Sequence, residues 1–134
     1  MKVAAYQAPL LRGGSFDAVH LIQERVRECE TKDVSLLCCP EAILGGLADY
    51  SENPAQIGIR TDGGQLESVL TPLASDTVTI IVGFTELGRD GAFYNAAAVF
   101  QRGQLLACIG KSIRPCDDPC IRRVPRRLYF GRTD

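Results

Sequence analysis

The sequence contains a single histidine, His20, no long apolar run and almost no net charge. His20 falls inside a predicted helix, so no Ser-His-Asp or Cys-His catalytic arrangement is expected within this chain. No stretch has the length of a membrane span, and the N-terminus lacks the apolar segment of a secretory signal. The formal net charge of −1 argues against a dedicated nucleic-acid binder. We therefore expect a soluble, cytoplasmic domain that binds neither membranes nor nucleic acids.

The six cysteines form no recognisable disulfide or ligand pattern. Without a secretory signal a disulfide framework is not expected, and a free thiol in an apolar segment behaves as a small hydrophobic group. Cys116 and Cys120 have the spacing of half a metal site, but no second Cys/His pair accompanies them. The glycine pairs match neither a phosphate-binding loop nor a dinucleotide fingerprint. The sequence therefore predicts no metal and no cofactor.

The first half of the chain alternates between strand and helix patterns. A strand over residues 2–8 precedes an amphipathic helix that begins with Ser15 as its N-cap and ends near Lys32. The apolar run from Val34 to Cys39 then predicts a strand that is buried on both faces. Residues 45–64 show little periodicity and are expected to form an irregular loop. The apolar stripe of the helix consists of Ala18, Ile22, Val26 and Cys29.

The second half contains one helix pattern and then three strands in succession. Residues 66–73 predict a helix whose last turn is disfavoured by Pro72. Strands are predicted over residues 78–84, 94–100 and 105–109, the last two joined by a turn at Arg102-Gly103. The order β-α-β-α-β-β-β indicates a layered α/β fold with a mixed sheet and helices on at least one face.

The strongest functional signal is Glu41, which directly follows the buried strand. Pro40 cannot donate to a strand ladder, so it marks the end of that strand. A carboxylate that emerges there is costly to desolvate unless it is paired or used. Lys111 lies at the end of a later strand, and adjacent strands could bring the two together. A partly desolvated pair could act as a base and an electrostatic stabiliser, although spacing alone favours a structural ion pair.

Five segments together resemble, in order and approximate spacing, the nitrilase (carbon-nitrogen hydrolase) superfamily. The resemblance covers residues 1–111, which we assign to the N-terminal part of one such domain. It implies a partial α-β-β-α sandwich, in which a mixed sheet has helices packed on one face. The segments are Val3–Pro9, the junction Pro40-Glu41, Gly83–Glu86, Tyr94–Ala97 and Gly103–Lys111.

The resemblance implies a Glu-Lys-Cys catalytic set that hydrolyses small-molecule amides, nitriles or carbamoyl groups. Glu41 matches the general base that takes the thiol proton, and Lys111 matches the lysine that stabilises the tetrahedral intermediate. The family's nucleophilic cysteine lies well downstream of this lysine, on a strand-to-turn elbow, whereas this chain ends 23 residues after Lys111. We therefore expect a hydrolase truncated before its nucleophile, inactive alone, and able to form homo-oligomers as the family does.

Residues 112–134 match nothing upstream and are expected to form a disordered tail. In the family branch that the chain resembles, the lysine begins a pattern like K-x-H-P-x-x-R-R-S-V-Y-x-x-G. Consider the alternative reading frame in which each codon joins the third base of one present codon to the first two bases of the next. Across Asp117 and Asp118 its codons can encode only Arg or stop, so an open frame must read Arg-Arg. The neighbouring codons permit the rest of the pattern. We therefore interpret the tail as frameshifted.

Two other functions stay open. The chain could be a non-catalytic binding or assembly module, because a half-sandwich exposes a sheet face and strand edges that favour self-association. The arginine-rich tail could bind nucleic acid, which predicts salt-sensitive binding that disappears when residues 112–134 are deleted.

Overall fold

A computed structural model describes residues 1–9, 11, 16–112 and 127–130, which form one six-stranded mixed sheet with helices. The first three strands in spatial order are parallel, and each later strand is antiparallel to its neighbour. The predicted α/β class with a mixed sheet is confirmed. The strands, which lie side by side in chain order, are β1 (Val3–Ala5), β2 (Leu36–Cys38), β3 (Thr79–Leu87), β4 (Phe93–Gln101), β5 (Gln104–Ser112) and β6 (Arg127–Phe130). The helices are α1 (Ala18–Thr31), α2 (Pro54–Ile57) and α3 (Gln65–Leu70).

Helix α1 covers one face of the sheet with the apolar stripe that its sequence predicts. Its four buried residues recur at spacings of three or four, so they lie on one side of the helix. The helix begins after Asp17 as N-cap, and the predicted N-cap Ser15 lies outside the described residues. After the C-cap Lys32, Asp33 adopts a φ of 54°, which ends the helix and turns the chain toward β2. The buried residues are Ala18, Ile22, Val26 and Cys29.

The loop predicted over residues 45–64 contains more regular structure than expected. It includes α2 and a single 3₁₀ turn at Ala48–Tyr50, and its Ile57 and Ile59 are almost completely buried. Ile59 also forms a parallel bridge with Glu86, which continues the ladder of β3 beyond the end of β2. The buried side chains fall at irregular intervals, and therefore no sequence periodicity announced them.

The turns of the antiparallel part agree with prediction. Arg102 and Gly103 have φ values of 48° and 75°, as a two-residue turn with both central residues at positive φ requires. The helix predicted over residues 66–73 is α3 followed by a 3₁₀ turn at Thr71–Leu73, where Pro72 interrupts the α-helical geometry.

Within the predicted disordered tail, the structure places one strand. The four residues of β6 pair with β5, whereas a disordered tail was expected over these residues. The outer edge of β5 offers backbone groups that another strand can pair with, and Tyr129 and Phe130 are of types that favour strands. The rest of the tail, residues 113–126 and 131–134, lies outside the described residues.

The two faces of the sheet have different surroundings. On the helix-covered face, residues such as Val82, Ala98 and Cys108 are at most 2% exposed. Successive strand residues point to opposite faces, and the alternate positions are half-buried, while Ile109 is 40% exposed. We call this second surface the open face; its side chains are Leu36, Cys38, Thr79, Ile81, Ala97, Val99, Ala107 and Ile109.

Candidate functional site

Glu41 lies in the turn after β2, and this turn packs directly onto β3. A Cβ atom added to Gly83 would lie 2.5 Å from the Pro40 carbonyl oxygen and the Ala42 nitrogen, and 2.8 Å from the Glu41 Cα. Only a residue without a side chain leaves room for this turn. After the turn, the chain runs alongside β3, and the Leu44 N–H donates to the Gly83 carbonyl at 3.2 Å.

The predicted end of the strand at Pro40 is confirmed, but its predicted burial on both faces is wrong. Only Leu37 of β2 is buried, whereas Leu36 and Cys38 are half-buried because they lie on the open face.

The partner of Glu41 is Asn95 on β4. The side-chain amide of Asn95 donates a hydrogen bond to the Glu41 carboxylate. Asn95 is half-buried and follows the alternation of the open face, two residues from Ala97. This role for Asn95 was not predicted. The available signal was the residue type, because asparagine is depleted in strands and an amide there needs a hydrogen-bond partner.

The backbone of Lys111 lies next to Asn95. The two residues are register partners in the antiparallel ladder of β4 and β5. Directly opposed residues in such a ladder have Cα atoms about 5 Å apart. The fold therefore brings the positions of Glu41 and Lys111, predicted from strand ends, to the same end of the sheet, with Asn95 between them.

A concave surface of about 420 Å³ adjoins Glu41. Its floor is made of small residues on the central strands, and its two polar side chains are those of Glu41 and Asn95. Such a surface, mostly apolar with a few convergent polar groups, is typical of a small-molecule site. The lining residues are Cys39, Pro40, Glu41, Ile81, Gly83, Asn95, Ala96, Ala97, Ile109 and Gly110.

Glu41 is exposed, contrary to the expectation of a partly desolvated carboxylate. Its turn lies at the edge of the open face, and among the described residues no second layer covers that face. The ion pairs between described side chains are all surface pairs, such as Arg25 with Glu28, and none of them includes Glu41. The hydrogen bond from Asn95 is therefore the contact that orients Glu41 in this part of the chain.

Burial makes three of the described thiols weaker acids than a free cysteine. Burial raises the pKa of the Cys39 thiol to about 12 and that of Cys108 to about 12. Burial also raises the pKa of Cys29, which lies on α1. Cys38 is within β2. Cys116 and Cys120 lie outside the described residues.

A second carboxylate, Glu86, lies buried under the sheet and was not predicted as a distinct feature. It is 7% exposed, and its Oε1 accepts a hydrogen bond from the Thr61 hydroxyl at 2.9 Å. A Cβ atom added to Gly110 would lie 2.8 Å from Glu86 Oε2. The contact ties the loop after α2 to β3, which is a structural role.

Three further features follow from the described residues. No group of three or more His, Cys, Asp and Glu side chains among them could hold a metal ion. His20 is exposed on α1, as its helical position predicts. No helix within the described ranges is long and apolar enough to cross a membrane.

Comparison with known proteins identifies relatives by structure. No protein-family model matches the chain, and no curated protein matches it. A carbon-nitrogen hydrolase from Helicobacter pylori G27 superposes with a TM-score of 0.61 and 20% identity, covering 84% of this chain and 40% of that one. A glutamine-dependent NAD⁺ synthetase from Acinetobacter baumannii gives a TM-score of 0.57 and 23% identity over 80% of this chain and 20% of that one. An N-terminal amidase gives 0.58 and 17% identity over 78% and 26%.

These similarities concern the fold. All three solved proteins belong to the nitrilase superfamily, and the described chain has the fold of the corresponding part of them. The chain spans 20% to 40% of the length of these three proteins. The described part of the chain therefore shares the fold of these solved structures.

Proposed function

We propose that this chain carries part of a carbon-nitrogen hydrolase site, with Glu41 as general base and Lys111 as the cation that stabilises the oxyanion. The observation that supports this most is the linkage across the sheet: Asn95 binds the Glu41 carboxylate and is the register partner of Lys111. Glu41 and the backbone of Lys111 thus each have Asn95 as a neighbour, which supports their assignment to one site. The shared fold with an N-terminal amidase and a carbon-nitrogen hydrolase supports the same assignment.

The chemistry explains why these residue types are needed. Glu41 accepts the proton of a cysteine thiol, and the resulting thiolate attacks the carbonyl carbon of a small amide. Lys111 stabilises the negative charge on the carbonyl oxygen. The intermediate collapses as Glu41 returns the proton to the leaving amine. Water then hydrolyses the thioester, giving one proton to Glu41, which passes it to the departing thiol. The same set could act on nitriles or carbamoyl groups.

We further propose that the 134-residue chain has negligible turnover. Cys39 lies between the end of β2 and the turn that carries Glu41, but burial raises the pKa of its thiol to about 12, as it does for Cys108 within β5, so both thiols stay protonated at neutral pH. Without the nucleophile, the acyl-enzyme route is lost entirely.

The frameshift proposal is tested by the encoding DNA. Sequencing across codons 108–122 should show that one alternative frame stays open and reads Arg-Arg across the codons of Asp117 and Asp118. If neither alternative frame is open and similar to the family, the frameshift interpretation is wrong. The proposed roles of Glu41 and Lys111 do not depend on that result.

The roles are tested by a hydrolysis assay on amides, nitriles and carbamoyl compounds. The chain itself should not exceed the buffer control. A chain continued in the restored frame should hydrolyse at least one class, and Glu41→Gln or Lys111→Met should each lower kcat by roughly a thousandfold or more. His20→Gln, on the exposed side of α1, is the matched control and should not change the rate. Activity of the 134-residue chain that Glu41→Gln abolishes would show that one of its own cysteines is the nucleophile.

A second candidate function is a non-catalytic assembly module. The observation that favours it is the open face. Ile109 is 40% exposed there, although its strand, β5, lies between β4 and β6. An apolar sheet face in contact with water is typical of an interaction surface.

A further inference from the structure

The backbone of the turn that carries Glu41 is fixed to β3 by buried contacts. Ala42, which directly follows Glu41, is buried and has a φ of 46°. A non-glycine residue keeps such a conformation only where its surroundings enforce it. The Gly46 N–H donates to the Ala42 carbonyl at 3.0 Å, and the hydroxyl of Thr85, which is completely buried on β3, donates to the Gly46 carbonyl at 2.8 Å. The backbone of Glu41 therefore has a defined position relative to β3.

The carboxylate of Glu41 is held separately, from β4. The Nδ2 amide of Asn95 donates to the Oε1 atom of Glu41. Asn95 itself cannot move easily, because β4 is paired with β3 on one side and with β5 on the other. Among the described residues no second donor reaches this carboxylate, so Oε2 keeps its capacity to accept a proton. The contact therefore makes the two oxygens of Glu41 different.

We propose that Asn95 is a positioning residue of the site, which occupies Oε1 of Glu41 and leaves Oε2 as the oxygen that takes the thiol proton. This inference rests on the proposed role of Glu41 as general base. In that step the S–H bond breaks, its electron pair stays on sulfur, and the proton bonds to Oε2. Asn95 keeps both amide protons and continues to donate to Oε1. A neutral donor orients the carboxylate without adding a charge that would weaken it as a base.

The polarity of this hydrogen bond can be tested in the 134-residue chain. Asn95→Asp keeps the shape of the side chain but places a second carboxylate against Glu41, so it should lower the urea midpoint of unfolding. Adding Glu41→Gln supplies an amide donor to the new carboxylate, and because donor and acceptor have only exchanged places, most of the loss should be recovered. Glu52→Gln is the matched control: it removes the charge of an exposed glutamate and should recover none of the loss.

The side-chain amide signal of Asn95 in ¹⁵N NMR spectra gives a second measurement, which does not depend on whether Asn95→Asp folds. Glu41→Gln should shift this signal, because the amide then donates to a neutral oxygen, whereas Glu52→Gln should leave it in place. A signal that neither substitution moves, or a loss in Asn95→Asp that both glutamine substitutions recover equally, overturns the proposal.

The effect on the reaction is measured in the chain continued in the restored frame. Asn95→Ala should lower kcat by roughly a hundredfold and change KM by less than about twofold, because it misplaces the base without removing it. The variant with both Asn95→Asp and Glu41→Gln should recover the urea midpoint but stay as slow as Glu41→Gln alone, because an amide cannot take the proton. Asn53→Ala, at an exposed asparagine, is the control and should change neither constant.

The outcome for Glu41→Gln separates the two proposals. If Glu41→Gln abolishes turnover while Asn95→Ala keeps the kcat of the parent, the positioning role is wrong and the proposed function stands. If Glu41→Gln leaves the rate unchanged, the proposed function fails, and the positioning role fails with it.

Discussion

The amide of Asn95 donates to the carboxylate of Glu41 across 54 residues of sequence and across the whole width of β3. This contact exists because Gly83, between them, has no side chain. The turn that carries Glu41 can therefore lie against the backbone of β3 and approach the strand beyond it. The position of the proposed base is thus controlled by a residue that performs no chemistry.

Replacing Gly83 with alanine should disturb this turn. The added Cβ would lie 2.5 Å from the Pro40 oxygen and the Ala42 nitrogen, which are backbone atoms that cannot move independently. We expect Gly83→Ala to lower the free energy of unfolding by about 1–3 kcal/mol, as overpacking of a core does. Urea denaturation followed by circular dichroism measures the change.

Gly110→Ala is the comparison for that experiment. Its added Cβ would meet Glu86 Oε2 at 2.8 Å, which is a side-chain atom. The carboxylate is buried and bonded to Thr61, but it can shift without moving the backbone, so the loss of stability should be smaller than for Gly83→Ala. Equal losses in the two variants would show that the turn after β2 is not rigidly held.

The hydroxyl of Thr61 should contribute to stability through Glu86. Thr61→Val keeps the shape but removes the hydrogen bond to a carboxylate that is only 7% exposed. Leaving a buried acceptor unsatisfied costs about 1–3 kcal/mol. Thermal or urea unfolding should show this loss, whereas Thr61→Ser, which keeps the donor, should recover most of it. A fully stable Thr61→Val variant would mean that water or another donor satisfies Glu86.

The sequence predicted the parts of this fold that depend on local periodicity. Helix α1 has a regular apolar stripe, and the strand before Pro40 is a continuous apolar run, so both could be recognised without a structure, although only one face of the strand is buried. Asn95 could not, because its partner is set by the register of β4 and by the empty space at Gly83. Such long-range contacts leave no periodic pattern.

The exposure of Glu41 also could not be predicted from the local sequence pattern. A carboxylate at the end of a buried strand was expected to be partly desolvated, but desolvation requires a second layer over the open face. The described residues do not supply that layer. The sequence therefore located the candidate base and its proposed lysine by strand ends, whereas their surroundings depend on how the sheet is covered.

Ser75 should stabilise the junction between α1 and β3. It is 6% exposed, its hydroxyl donates to Glu30 Oε1 at 2.6 Å, and it accepts from the Val78 N–H at 3.1 Å. The same hydroxyl also accepts from the Thr77 N–H at 3.3 Å. Ser75→Ala removes all three contacts and should lower the free energy of unfolding by about 1–3 kcal/mol. Ser68→Ala, at an exposed position of α3, is the control, with an expected change within about 0.5 kcal/mol in the same urea titration. Similar values for both serines would contradict a special role for Ser75.

The buried thiols should make the protein less stable at alkaline pH. Burial raises the pKa of Cys39 and of Cys108 to about 12 in the folded chain, from an ordinary value of 9.0. Below pH 9 both thiols are protonated in the folded and the unfolded states, so their stabilising effect is fully present. Between pH 9 and 12 the unfolded chain loses protons that the folded chain keeps. The free energy of unfolding should therefore fall over this range, by at most about 1.4 kcal/mol per pH unit for each thiol.

Urea titrations at a series of pH values, under reducing conditions, measure this slope. Cys39→Ala and Cys108→Ala each remove one titrating group, so each variant should lose less stability per pH unit above pH 9 than the parent chain does. Lysines and tyrosines also titrate in this range, but they are present in parent and variants alike and cancel in the comparison. The absolute stability of each variant is lower because a buried side chain is shortened. A slope identical to that of the parent in both variants would show that these thiols ionise equally well in the folded state.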